Sequence, residues 1–164
     1  MPVDESEMMS RPTHGPVPLG DCSIVIRIPI AWADMDAFGH VNNTVYFRLF
    51  ESVRIAYLDA IDFTGGGVSG GIGPILASTH CRFRRPLRYP DTVTVGTHVP
   101  HVDTDRFTME YVVVSEAQAA VAAEGGGIVV AYDYAAGAKV PIPDAVRRRM
   151  GAVAGKGPAS GRRA

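Results

Sequence analysis

At 164 residues, with 46% hydrophobic and 20% charged side chains, the chain has the composition of one globular domain whose core needs no metal or disulfide staple. A net charge of −1 supplies no basic face for nucleic acid, and no apolar run is long enough to cross a bilayer, so neither partner is expected. Two cysteines, Cys22 and Cys81, are too few and too far apart for a disulfide framework or a zinc site, and read as packed thiols in a reducing cytoplasm.

Residues 1–20 are polar and proline-rich without periodicity, which predicts a flexible leader with no secretion signal. A first strand follows over 22–32. Ile24, Ile26, Ile28 and Ile30 share one face there, and Pro29 marks an edge or a bulge. Residues 32–51 form the densest cluster of polar chemistry in the chain: Asp34, Asp36, Gly39, His40, Asn42 and Asn43 lie where a strand hands over to a helix. Either asparagine suits an N-cap. Tyr46, Leu49, Phe50, Val53, Tyr57 and Ala60 then keep helical spacing to an end near Asp62. Val45, Phe47, Ile55 and Leu58 lie off that stripe, which predicts a long helix buried over much of its circumference.

Residues 64–74 are glycine-rich, and Gly65, Gly67 and Gly70 satisfy G-x-G-x-x-G. The segment follows a helix and precedes a strand, the reverse of a dinucleotide-binding turn, so it reads as a flexible connection that could border a substrate mouth. From there the pattern is strand. Ile75, Ala77, Thr79, Cys81 and Phe83 alternate with Leu76, Ser78, His80 and Arg82. A turn at 89–91 leads to strands over 92–99 and 106–115, then a last long strand over 119–134 with a bulge expected at Gly125, Gly126 and Gly127. A short basic segment over 146–150 closes the domain at 21–150, and 151–164 reads as a flexible tail. One strand, one long helix and about four strands without βα alternation define an α+β class, an antiparallel sheet curled around a central helix. A homodimer that continues the sheet is the simplest cover for its open edge.

Asp36 precedes a helix whose first N–H groups lack intrahelical partners. A carbonyl docked there could rest its oxygen on a backbone N–H while Asp36 activates water or attacks directly. Taken singly, each piece has a plainer reading: turn carboxylates for Asp34 and Asp36, a backbone-bonded histidine for His40, and capping residues for Asn42 and Asn43. The combination favours a site. His98 and His101 are a poor metal pair, since positions three apart on a strand face opposite ways. Cys81 has no base beside it.

The run from Asp34 through Asp36, Gly39, His40, Val41, Asn42 and Asn43 to Tyr46 resembles the signature of hotdog-fold thioesterases of the 4-hydroxybenzoyl-CoA thioesterase group. The likeness extends through Glu51, Arg54, Arg85, Pro86, Tyr89 and Asp91 to the Val140 segment, over about residues 22–146. The resemblance implies a hotdog fold, acyl-CoA hydrolysis without a cofactor or metal, and a homodimer or homotetramer whose sites are shared between subunits. It implies that Asp36 is the catalytic carboxylate and that the Asn43 N–H is the oxyanion donor. It places Gly39, His40, Tyr46, Glu51, Arg84 and Arg85 at the substrate. Plant acyl-ACP thioesterases are similar over a shorter span that aligns Asp36 and His40, but their intervening asparagine is Phe38 here. Arg82, Arg84, Arg85 and Arg88, or Arg147 to Arg149, could contact CoA phosphates, and ordinary solvated charge accounts for both clusters equally well. An acyl carrier protein substrate, a non-catalytic acyl-CoA-binding module and a dehydratase are the alternatives.

Overall fold

The computed structural model describes residues 19–65, 70–155 and 159–160. All but the last two residues of the expected leader, and residues 66–69 of the glycine-rich connection, lie outside that set. The elements in order are β1 (Ile24–Pro29), α1 (Asn43–Ala60), β2 (Ile72–Phe83), β3 (Thr92–Val102), β4 (Arg106–Ser115), β5 (Ala120–Asp133), β6 (Ala138–Lys139), α2 (Asp144–Ala154) and β7 (Ala159–Ser160), with 3-10 turns at Leu19–Asp21 and Trp32–Asp34. The strands form one sheet in the order β2-β5-β4-β3-β1-β7, with β6 beside β5. Every pairing is antiparallel except the two-residue contact of β7 with β1. This is the α+β arrangement of a hotdog fold, a curled antiparallel sheet against one long helix. Among the described residues no helix is long and apolar enough to cross a membrane.

The start of α1 follows from its cap. Asn42 adopts extended backbone (φ −61°, ψ 144°), and its side chain accepts from the Thr44 N–H, satisfying one donor that the first turn leaves without a partner. The helix rests on β1, β3 and β4 through Val45, Tyr46, Leu49, Phe50, Val53, Tyr57 and Leu58. Burial is therefore confined to one broad face: Phe47 is half-buried and Ile55 is 45% exposed. The sheet does not close around the helix as far as the apolar count suggested, because the helix makes its sheet contacts at β1, β3 and β4 and leaves β2 largely uncovered.

The concave face of the sheet has an uneven floor, and the glycines of β5 explain it. No bulge occurs at Gly125, Gly126 and Gly127, because the ladder to β2 and β4 runs through them without a register shift. A Cβ on Gly125 would stand 2.6 Å from the Phe50 ring. The glycine leaves room for the Phe50 ring of α1, a function that sequence punctuation cannot separate from a bulge. In the β2–β5 ladder the register shift falls instead in β2, between Leu76 and Ser78. Ala77 is the extra residue, and Leu76 joins Thr79 on the Gly127 side. The simple alternation expected from residue 75 onward therefore reverses at that point.

The C-terminal end of the domain differs from expectation. Helix α2 continues the basic segment to Ala154, with Val146 and Met150 buried, so the first residues of the expected tail are helical. Ala159–Ser160 then pairs with Ile24 and Val25 and covers part of the β1 edge. The opposite edge, β2, has no neighbour beyond it among the described residues. It leaves Ile72, Ile75, Leu76 and Phe83 39–49% exposed.

Candidate active site

The strand-to-helix junction folds into a small closed loop. Met35 and Val41 form an isolated antiparallel bridge, the Asp36 N–H donates to the His40 carbonyl at 2.9 Å, and the Gly39 N–H donates to the Asp36 carbonyl at 3.0 Å. Gly39 turns the chain at φ +74°, a conformation that carries a steric penalty for any side chain. A second set of bonds fastens this loop to residues 85–88. The Val41 N–H meets the Leu87 carbonyl at 2.9 Å. The Tyr46 hydroxyl accepts from the Leu87 N–H at 3.3 Å and donates to the Arg85 carbonyl at 3.4 Å. Burial pushes the Tyr46 phenol up, so it remains a protonated donor. Arg88 reaches His40 Nε2 at 2.9 Å. A guanidinium only donates, so Nε2 accepts and the proton of the neutral imidazole is assigned to Nδ1.

These contacts separate the two aspartates. Asp34 is committed to structure: Oδ1 takes the Arg48 guanidinium from α1, Oδ2 takes the Ala31 N–H at 2.9 Å, and its carbonyl takes the Asn42 N–H. Asp36 instead borders a cavity of about 440 Å³ together with His40, Asn43, Tyr46, Arg84 and Arg85. Its Oδ1 accepts from the Phe38 N–H at 2.9 Å, and Oδ2 accepts from Asn42 Nδ2 at 3.2 Å. Each carboxylate oxygen therefore keeps a lone pair for a further donor such as water. Asn43 opens α1, and as the first helical residue its N–H has no carbonyl partner within the helix. A carboxylate and the positive end of a helix dipole thus share one cavity, an arrangement that can serve acyl transfer.

Of the other expected substrate contacts, Gly39 shapes the turn without lining the cavity, and Glu51 lies eight residues beyond Asn43, about 12 Å along the helix, on its exposed face. Four apolar neighbours complete the lining: Phe38, Val41, Phe83 and Pro86. Phe38 is 85% exposed, and Phe83 meets Tyr46 edge to face at 5.0 Å. The strand alternation could have found Phe83, which shares a face with Thr79 and Cys81. Phe38 gave no signal beyond being a large apolar residue in a polar loop. Among the arginines, Arg84 is held by Glu124, whereas Arg85 makes no ion pair among the described residues.

His98 and His101 turn to different acids, Glu110 at 3.4 Å and Asp103 at 3.0 Å, and do not converge. Neither cysteine forms a disulfide. Burial pushes the Cys81 thiol up to about 11, far from an activated nucleophile. Alkylation of Cys81 by iodoacetamide is expected to be slow at pH 7 and to rise about tenfold per pH unit toward that value, because only the thiolate reacts. Peptide mass spectrometry across pH 7–10 reads this directly.

A curled sheet with one long helix, and an aspartate facing a helix N-terminus across a loop cavity, define the class of hotdog thioesterases. Residues 30–150 match the sequence model of the thioesterase-like superfamily, and the chain belongs to that family. It is similar to a thioesterase of Thermus thermophilus, whose crystal structure holds coenzyme A and zinc, with 29% identity, a TM-score of 0.71, and 83% of this chain and 98% of that one covered. It is also similar to a thioesterase-superfamily protein of Jannaschia sp. CCS1, with 26% identity, a TM-score of 0.74, and 88% and 97% covered. In sequence it is 28% identical over 93 residues to a protein of Aquifex aeolicus (strain VF5) that carries a provisional esterase name, spanning 56% of this chain and 73% of that one.

Proposed function

We propose that this chain hydrolyses acyl-CoA thioesters to the free acid and CoA at the Asp36–Asn43 turn. The observation that carries the reading is that the Asp36 carboxylate and Asn43, at the N-terminus of α1, line the same cavity. Water delivered to the thioester carbonyl gives up its proton to Asp36, or Asp36 itself attacks and water then cleaves the anhydride. In either route negative charge grows on the carbonyl oxygen, and the Asn43 N–H with the helix dipole stabilises it. His40 lies at the mouth and contributes through contact with substrate. Tyr46 holds the wall, and Gly39 turns the chain that carries Asp36 and His40. Arg84 and Arg85 flank the entrance, where the nucleotide phosphates of CoA, or the phosphopantetheine of an acyl carrier protein, would be met.

The reading includes a homodimer. Among the described residues strand β2 is an edge without a pairing neighbour, with apolar side chains on it, a surface that proteins seldom leave open. A second copy paired along that edge covers it; two such dimers would make a tetramer.

Thiol release measured over a panel of acyl-CoA chain lengths, with the acid product identified by mass spectrometry, tests the assignment. Turnover with at least one chain length supports it. Tight acyl-CoA binding without thiol release would replace it with a non-catalytic binding module. In the same assay Arg85→Ala is expected to raise KM about tenfold at unchanged kcat, with the gap narrowing at high salt as the phosphate contact is screened.

A further inference from the structure

We infer that Asn42 is a positioning residue that ties Asp36 to the start of α1, so that one side chain sets the spacing between the base and the oxyanion donor. The inference rests on the hydrolytic reading of Asp36 and goes beyond it. The orientation of the Asn42 amide follows from its partners. Its Oδ1 lies 3.0 Å from the Thr44 N–H and 2.7 Å from the Thr44 hydroxyl. A backbone N–H can only donate, so this amide atom is the oxygen and the other is the NH₂ group. That NH₂ stands 3.2 Å from Asp36 Oδ2. The two halves of one planar amide therefore hold two different parts of the site.

The backbone of Asn42 is fixed as firmly as its side chain. Its N–H bonds the Asp34 carbonyl at 2.9 Å, and its carbonyl accepts from the Val45 N–H at 3.0 Å. The residue is half-buried, and its bond to Asp36 is partly shielded from water. Asn43, the next residue, inherits its place from this cap. On the other side, the Phe38 N–H holds Oδ1 of Asp36, and Asn42 supplies the second restraint that stops the carboxylate rotating about its last bond. A carboxylate free to rotate would spend much of its time aimed away from the cavity, and misplacement by about 1 Å can cost about 100-fold in rate.

Capping and positioning can be separated by substitution. Serine and aspartate cap helices about as well as asparagine, so Asn42→Ser and Asn42→Asp should keep the fold. A single hydroxyl cannot occupy both places that the amide oxygen and nitrogen hold, so Asn42→Ser loses the donor to Asp36. Asn42→Asp replaces that donor with an oxygen that repels the carboxylate. The experiment measures kcat, KM and thermal stability for both variants alongside Asp36→Asn, on the acyl-CoA that the wild type turns over best. The expected result is melting close to wild type, KM within about twofold, and kcat lowered 10–100-fold by serine and further by aspartate. Wild-type kcat in both variants, a change confined to KM, or unfolding of both cap-preserving variants would overturn the inference. Should Asp36→Asn itself hydrolyse at the wild-type rate, the assignment of Asp36 to the reaction fails. An inactive Asp36→Asn beside fully active Asn42 variants overturns only the positioning role.

Discussion

Substituting Asp36 by asparagine is expected to lower kcat for acyl-CoA hydrolysis by roughly 10²–10⁴-fold, the range that a positioned general base contributes. The effect should fall on kcat and leave KM nearly unchanged, because in the proposed reaction the carboxylate acts in the transition state and contributes little to ground-state binding. The surroundings of Asp36 make the variant a clean probe. The turn is closed by backbone bonds through Asp36, Gly39 and His40, none of which needs the side-chain charge. An asparagine keeps an acceptor oxygen for the Phe38 N–H, gives up the acceptor that Oδ2 offers to Asn42 Nδ2, and removes the carboxylate. The same change at Asp34 is expected to act differently. That carboxylate bonds Arg48 and the Ala31 N–H, so its loss loosens the junction and shows as lower melting temperature before it shows in kcat. Steady-state kinetics with melting curves for the two variants separate the roles.

The largest effect on stability is expected from Phe50→Ala, at about 3–5 kcal/mol, or roughly 10 °C in melting temperature for a chain of this size. Phe50 is 0% exposed. It stacks on Tyr111 with ring centres 4.8 Å apart and meets Phe47 edge to face at 6.2 Å. It also lies over Gly125, whose missing Cβ leaves the room the ring occupies. Truncation therefore empties a site bounded by a strand backbone and two rings, and a sheet backbone cannot collapse far into the space. Cavity cost adds to the lost transfer energy in such a place. Chemical denaturation monitored by circular dichroism measures the loss. Below the lowered melting temperature, kcat should stay within a few-fold of wild type, because the helix cap and the 35–41 turn are two turns of α1 away.

The sequence carried those parts of the fold whose determinants are local. Asn42 capping an amphipathic run is a local event, and α1 begins at Asn43 as the cap predicts. The strand at 106–115 coincides with β4, since β-branched alternation records which side of a sheet is buried. Determinants that depend on a neighbouring element were not legible. Gly125 reads the same in sequence whether it marks a bulge or admits Phe50, and the shift at Ala77 appears only when β2 is laid against β5. Ile55 looked like core because apolarity was counted without knowing how far the sheet extends. In the site, the motif brought Asp36 and Asn43 forward through resemblance. What distinguishes Asp34 physically is Arg48, fourteen residues away on α1, and what holds Asp36 is the side chain of Asn42. Neither contact is visible until the junction is folded.

A crystal structure of the Asp36→Asn variant with an uncleaved acyl-CoA bound tests the central claim most directly. The thioester oxygen is expected about 2.7–3.1 Å from the Asn43 backbone nitrogen, the distance of an oxyanion donor, with the carbonyl carbon facing residue 36 and the nucleotide toward Arg84 and Arg85. A thioester held elsewhere, with its carbonyl away from the N-terminus of α1, would contradict the assignment of this turn as the site of hydrolysis.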